Sequence, residues 1–276
     1  MSNQIVSAVT IAGTDPSGGA GIQADLKTFQ EREVYGMSVI TSVVAQNTKG
    51  GVKAVEHLPP IDFIEKQFDA VWEDITPHAV KTGMIATIEM MELIAKKLTN
   101  SKIPFVIDPV MIAKSGDPLM EEKSREVIRD ILLPLATVVT PNVPEAEFLV
   151  GFSINSQKDT EKAAKVLVHQ LGAKAAVVKG GHLDGDAKDV LYDGAQFDYF
   201  STKRIDTPHT HGTGCTFSAA ITAELAKGKS INEAVGLGKE FITDAIQHSL
   251  LLGKGNGPTN HWGYRLKGLP NRGEME

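Results

Sequence analysis

The feature that most limits what this chain can fold into is a repeated alternation. Short β-branched runs end in glycine or polar residues, and a segment with apolar residues at helical spacing follows most of them. Ile5-Val6-Ser7-Ala8-Val9-Thr10-Ile11-Ala12 is the first run, Gly13 to Gly21 its loop, and Ile22, Leu26 and Phe29 the first helical stripe. A second strand is predicted over 37–46, and Ile61, Ile64, Phe68 and Val71 mark a helix after it. Ala79-Val80-Lys81 leads to the exit Thr82-Gly83-Met84, with a helix around Met91 and Ile94. Phe105-Val106-Ile107 ends in Asp108, and a helix over 119–131 is expected next. Thr137 to Thr140 exits through Pro141-Asn142-Val143-Pro144-Glu145, and a helix over 159–171 follows. Residues 175–179 end in Gly180-Gly181, and 189–200 read as a hairpin around Asp193-Gly194. A helix to about 227 and a long one over 231–252 close the pattern, and the tail from 253 reads as a polar loop and loose end. The alternation predicts an α/β fold with a mainly parallel sheet flanked by helices on both faces, plus a small β-hairpin addition. No linker stands out, so residues 1–276 are expected to form one domain.

Composition enters only to exclude. A net charge of -6 without a basic patch argues against a nucleic-acid binder. No apolar run is long enough to span a bilayer, and the short N-terminal run lacks the basic flank of a signal peptide. The single cysteine, Cys215, rules out an internal disulfide and a cysteine-based metal site, which fits a cytoplasmic protein.

That cysteine lies in the stretch Thr207-Pro208-His209-Thr210-His211-Gly212-Thr213-Gly214-Cys215-Thr216-Phe217-Ser218. A glycine loop entering a helix offers free amides and a partial positive charge, a natural seat for an anion. A plain turn into a core helix with a buried thiol is an equal reading of the stretch alone. It is not a dinucleotide fingerprint, because Phe217 fills the third glycine position. The first loop is not a P-loop, because no Gly-Lys-Ser/Thr closes it.

Strand exits of a parallel sheet share one edge. They would collect Asp15, Gln46, Asp108, Asn142, Glu145, Lys179 and Cys215 at one cleft. Carboxylates suit Mg²⁺, and a lysine with helix amides suits phosphates, so phosphoryl transfer is the simplest chemistry. Asp108 could instead cap a turn, Glu145 serve as a first-turn carboxylate, and Lys179 be solvated. His182, His209 and His211 read as loop or capping residues, because none shows zinc-site spacing. Lys114-Ser115-Gly116-Asp117 reads as a surface turn or a lid.

With these motifs in place, the sequence resembles the hydroxymethylpyrimidine/phosphomethylpyrimidine kinases, in the vitamin-kinase branch of the ribokinase-like fold. The resemblance runs nearly the whole length. It rests on Ala12-Gly13-Thr14-Asp15-Pro16-Ser17-Gly18-Gly19-Ala20-Gly21, Ala45-Gln46-Asn47-Thr48, Lys81-Thr82-Gly83-Met84, Asp108-Pro109-Val110-Met111, Thr140-Pro141-Asn142-Val143-Pro144-Glu145, Val178-Lys179-Gly180-Gly181 and His211-Gly212-Thr213-Gly214-Cys215.

The resemblance implies a three-layer fold, ATP and Mg²⁺ as cofactors, and two successive phosphorylations of an aminopyrimidine alcohol. It implies that Gln46 reads the ring and that Gly13, Ala20, Met84 and Val110 shape its pocket. Asp108 and Glu145 would organise Mg²⁺, with Asn142, Glu145 and Lys179 at the nucleotide. Gly212, Thr213 and Gly214 would form the anion hole, and Cys215 would be the base, its thiol lowered at the helix N-terminus. A homodimer is also implied. Pyridoxal kinases are the nearby alternative; Ala113 and Gln46 favour the pyrimidine. A non-catalytic sensor on the same fold is the alternative of another class.

Overall fold

The structure is a computed structural model that describes residues 5–49, 52–57, 61–111, 122–181 and 185–268. Ala113, the turn at 114–117, His182 and Gly50-Gly51 lie outside the described residues.

Nine strands among the described residues form one sheet. They are β1 Ser7–Gly13, β2 Tyr35–Gln46, β3 Val52–His57, β4 Ala79–Thr82, β5 Phe105–Ile107, β6 Val138–Val139, β7 Ala176–Val178, β8 Ala187–Tyr192 and β9 Phe197–Thr202. The order is β3-β2-β1-β4-β5-β6-β7-β8-β9. From β2 to β7 the neighbours are parallel, whereas β3, β8 and β9 pair antiparallel at the two edges. The order reverses at β1, which pairs with β2 on one side and β4 on the other. A crevice opens beyond the carboxyl ends of strands at such a reversal.

The helices are α1 Gly21–Glu31, α2 Ile61–Trp72, α3 Ile88–Leu98, α4 Glu122–Val127, α5 Val143–Val150, α6 Gln157–His169, α7 Thr213–Ala226 and α8 Ile231–Gln247. Alternate strand residues face opposite layers. Val9, Ile11, Phe105, Ile107 and Val139 pack with α2, α3, α5 and α6. Val106, Val138 and Val177 pack with α7 and α8, and Ala8 and Ala79 with α1 and α7. Helix α7 is apolar nearly all round and buried from Thr216 to Ala226, so it is the central rod of its layer.

The differences from the sequence reading are local. β3 and α5 were not anticipated as separate elements. β3 pairs only with β2 and is mostly exposed, and α5 has eight residues, so neither carries a long periodic signal. The helix expected over 119–131 is described from Glu122, and it loosens into a π-helical turn at Ile128–Leu132. α8 stops at Gln247, and Leu251 and Leu252 stand exposed beyond it. The tail is not loose through its described length. Pro258, Thr259, Asn260, His261 and Gly263 are buried, and a short 3-10 turn spans Gly263–Leu266. No helix among the described residues is long and apolar enough to cross a membrane.

Candidate active site

The site is built from strand exits. Asp108 follows β5 directly and is almost wholly buried. Lys179 follows β7, and its Nζ donates to Asp108 Oδ1 at 3.1 Å. Thr140 and Ser218 hydroxyls approach the same carboxylate at 3.4 Å. Asn142 and Lys179 are joined by a parallel bridge that continues the β6–β7 register past the strands.

Asn142 is also the N-cap of α5. Its side chain accepts from Glu145 N at 2.9 Å, and Glu145 Oε2 accepts from Asn142 N at 2.8 Å, a reciprocal capping box. Glu145 is buried, which pushes its carboxyl up to about 7. The Lys179 charge opposes this and the Asp108 charge adds to it. Burial works against the Lys179 ammonium, but Asp108 and Glu145 outweigh it and hold the amine above its ordinary range.

At the head of α7, Gly212 is left-handed with φ +79°, and no side chain caps the helix. Only glycine fits there, because a Cβ would lie 1.6 Å from the Gly19 carbonyl oxygen. A Cβ on Gly214 would lie 3.3 Å from Lys179 Nζ and 3.4 Å from Asp108 Oδ2. The first turn of α7 therefore sits against the Lys179–Asp108 pair; Thr213 N donates to Thr210 O at 3.3 Å, and the Gly214 position faces the ammonium.

One cavity of about 1030 Å³ joins these groups. Its wall includes Asp108, Asn142, Glu145, Lys179, Gly212, Thr213, Gly214 and Cys215. It also includes Gly13, Ala20, Gln46, Met84 and Val110. All the residues expected at the cleft except Asp15 thus border the same space.

Cys215 is half-buried at the cavity wall, and its thiol is shifted opposite to the expected lowering. Burial pushes its thiol up to about 12. Lys81 opposes this, while the Asp25 and Asp108 carboxylates add to it. Asp15 also departs from its expected place, because it does not border the cavity and is fully buried beneath it. Burial works against its charge. Hydrogen bonds from His211 and Ser17 outweigh that and hold the carboxyl well below the usual range.

Two further sets of groups were not singled out from sequence. Lys81, in β4, places its Nζ 2.8 Å from both Asp25 oxygens, and Thr10 Oγ1 donates to Asp25 at 2.6 Å. Lys81 and Asp25 are wholly buried, and Asp25 holds the ammonium charged. A lysine inside an apolar strand was the available signal, since such a charge needs a buried partner. The second set, Phe217, Lys239, Ile242 and Ile246, extends the cavity along α7 and α8. Lys239 Nζ bonds Asp189 at 2.8 Å, and Asp189 accepts from Gly180 N at 3.0 Å, which fixes the turn after β7.

Among the described residues no three His, Cys, Asp or Glu side chains gather as a metal cluster. Two buried carboxylates beside one lysine still suit Mg²⁺, which commonly takes one or two carboxylates and fills its shell with water and phosphate.

The sequence profile of the phosphomethylpyrimidine kinase family matches residues 15–260. The chain belongs to this family. A hydroxymethylpyrimidine/phosphomethylpyrimidine kinase of Staphylococcus aureus (strain MRSA252) is 50% identical over 265 residues, 94% of this chain and 95% of the relative. The crystal structure of an ADP complex of Bacillus subtilis pyridoxal kinase is similar with TM-score 0.88 and 45% identity, over 96% of this chain and 100% of the other. A phosphomethylpyrimidine kinase from Clostridium difficile 630 is similar with TM-score 0.78 and 47% identity, over 87% of this chain and 99% of the other. Family membership and these structures establish the ribokinase-like α/β fold with a mostly parallel central sheet.

Proposed function

We propose that this family member phosphorylates 4-amino-5-hydroxymethyl-2-methylpyrimidine with ATP, then phosphorylates the monophosphate to the diphosphate used for thiamine. The observation that carries the reading is a single cavity whose wall brings together the Gln46 amide, apolar side chains, Lys179, Asp108 and the head of α7. Its volume lies at the upper end of the usual range for small-molecule sites, about 300–1,000 Å³. The name of the Staphylococcus aureus relative supports the substrate, and the ADP bound to the Bacillus subtilis structure supports the nucleotide.

Phosphoryl transfer depends mainly on positioning and neutralised charge. Gln46 would hydrogen-bond the ring and Met84 and Val110 flank it, which turns the hydroxymethyl oxygen toward α7. Lys179 would draw the nucleotide's phosphates, and the amides of Gly212 to Cys215 would receive charge that builds on the transferred group. Asp108 and Glu145 would hold Mg²⁺, which supplies further neutralisation of phosphate charge. Asn142 keeps Glu145 in place through the capping box. Cys215 stands beside the anion hole, where its thiolate, a minor form at neutral pH, would be the acceptor of the hydroxyl proton. The protein is proposed as a cytoplasmic homodimer; the half-exposed Tyr35 and Val43 on β2, next to the edge strand β3, suit a contact between copies.

Pyridoxal is the second reading, favoured by the Bacillus subtilis neighbour. Purified protein should release ADP with the pyrimidine alcohol far faster than with pyridoxal, and should yield both mono- and diphosphate. Preference for pyridoxal, or ligand binding without ATP turnover, would sink the proposal.

A further inference from the structure

Asp15 and His211 are 196 residues apart, and neither is used by the chemistry above. His211 Nε2 lies 2.8 Å from Asp15 Oδ2. The Asp15 carboxylate has other tasks too. It accepts from Ser17 N at 2.9 Å, Gly19 N at 3.1 Å, Ala20 N at 2.7 Å and the Ser17 hydroxyl at 2.7 Å. Asp15 N in turn donates to Gln23 Oε1 at 2.7 Å. The carboxylate therefore gathers the loop between β1 and α1, whose Ala20 borders the cavity.

His211 also borders the cavity, and the next residue is the glycine that starts α7. Its backbone is anchored behind. His211 N donates to Gly257 O at 3.0 Å, and Thr259 N donates to His211 O at 3.2 Å. The two loops also touch directly. A Cβ on Gly19 would lie 2.6 Å from His211 Cδ2, and Gly212 lies against the Gly19 carbonyl. The hydrogen bond thus joins two loops that have no room to slide without breaking it.

We infer that Asp15 and His211 are a positioning pair that locks the loop shaping the alcohol pocket to the glycine turn of the anion hole. The inference rests on the kinase reading above and deepens it. Phosphoryl transfer needs the attacking oxygen and the anion hole in fixed register, and a displacement of about 1 Å can cost 10²-fold in rate. The bond needs only an N–H on Nε2, which both the neutral tautomer and the cation can supply. Loss of the link should leave the pocket loop intact, since Ser17, Gly19 and Ala20 still hold Asp15. The ring would bind much as before, while the anion hole drifts relative to it.

The test compares His211→Gln, whose amide nitrogen reaches the place of Nε2, with His211→Asn, whose amide falls short. Both keep a polar side chain, and both are read by steady-state kinetics with ATP and by melting temperature. We expect His211→Asn to lower kcat roughly 10- to 100-fold with KM for the alcohol nearly unchanged. His211→Gln should recover most of that loss. Equal kcat in the two variants overturns the inference, and so does a loss confined to KM. A loss of kcat that only follows the melting temperature also overturns it, because a merely structural contact would behave that way. Wild-type protein is assayed with the pyrimidine alcohol and with pyridoxal. Turnover of pyridoxal alone would sink the substrate reading and leave the Gln-to-Asn contrast measurable on pyridoxal.

Discussion

At the scale of the residue, Cys215 shows two opposing effects with different magnitudes. A helix N-terminus favours an anion by about 0.3–1 kcal/mol at exposed sites, whereas burial can shift a group by several pKa units. Burial wins, and the thiol stands near 12 although Lys81 pulls it down. A base with so high a value is scarce as thiolate at neutral pH, and its fraction rises tenfold per pH unit. If Cys215 takes the hydroxyl proton, kcat/KM of the wild-type enzyme should climb steadily from pH 7 to 9, and Cys215→Ala should lower kcat roughly 10²-fold. A flat profile together with a near-normal Cys215→Ala rate would leave the residue as wall only. Lys81 and Asp25 lie behind it as a compensated pair, so either one alone would be an unmatched buried charge.

At the scale of the element, α5 shows how one short helix serves folding and chemistry together. It has eight residues, too few to be stable without tertiary support. Asn142 and Glu145 close its first turn, and Gly151 ends it in a left-handed cap with φ 77°. The same box sets Glu145 beside Lys179 and Asp108. Asn142→Ala should therefore cost about 1 kcal/mol of stability, and Asn142→Ser, which can still cap, a fraction of that. Thermal unfolding checks this: for a chain of this size the Ala variant should melt only a few degrees lower. Its turnover should fall further than that loss explains, because Glu145 N loses the Asn142 Oδ1 acceptor that fixes the first turn of α5, and the Glu145 carboxylate is then held by its bond to the residue-142 amide alone. A wild-type melting temperature for Asn142→Ala would show that the box adds nothing to folding.

At the scale of the whole molecule, the C-terminal segment closes the layer formed by α1, α7 and α8. Asn260 N bonds Ala245 O at 2.9 Å, and His261 Nε2 meets Thr216 Oγ1 at 3.2 Å inside the first turn and a half of α7. Arg32 lies 5.0 Å over the Tyr264 ring and is paired with the buried Glu224. Burial lowers the His261 imidazole to about 4, and the Lys27 charge adds to the effect. An unfolded histidine titrates near 6.5, so between pH 6.5 and 4 the unfolded chain binds the extra proton. Stability should be unaffected by His261 above pH 6.5 and fall progressively as pH drops to about 4. Urea unfolding at pH 7, 6 and 5 reads the slope, and His261→Gln should flatten it. An unchanged slope in His261→Gln would place the acid sensitivity elsewhere. The contribution of Asp15 is lost at lower pH, because its folded value is depressed and its stabilisation is complete above the ordinary carboxylate range.

Local pattern carried much of this protein in its sequence. Runs such as Val9 to Ala12 and Phe105 to Ile107 state their own conformation, since β-branched and apolar residues at those spacings have few other uses. Alternation then implies a parallel sheet, and a parallel sheet puts every exit on one edge. Asp108, Lys179 and Gly212 could therefore be placed together before any coordinates. Short or weakly patterned pieces were not legible: β3 and α5 are too brief for a period. The tail looked loose because its glycines and polar residues signal loops equally well when buried. What only the tertiary structure decided are the contacts between distant residues: Asp15 with His211, Lys81 with Asp25, and the half-buried setting of Cys215 at the cavity wall. Sequence fixes which faces are apolar and where chains turn, because those depend on neighbours a few residues away. Which two polar groups meet inside, and how dry they are, depends on register and closure across the sheet.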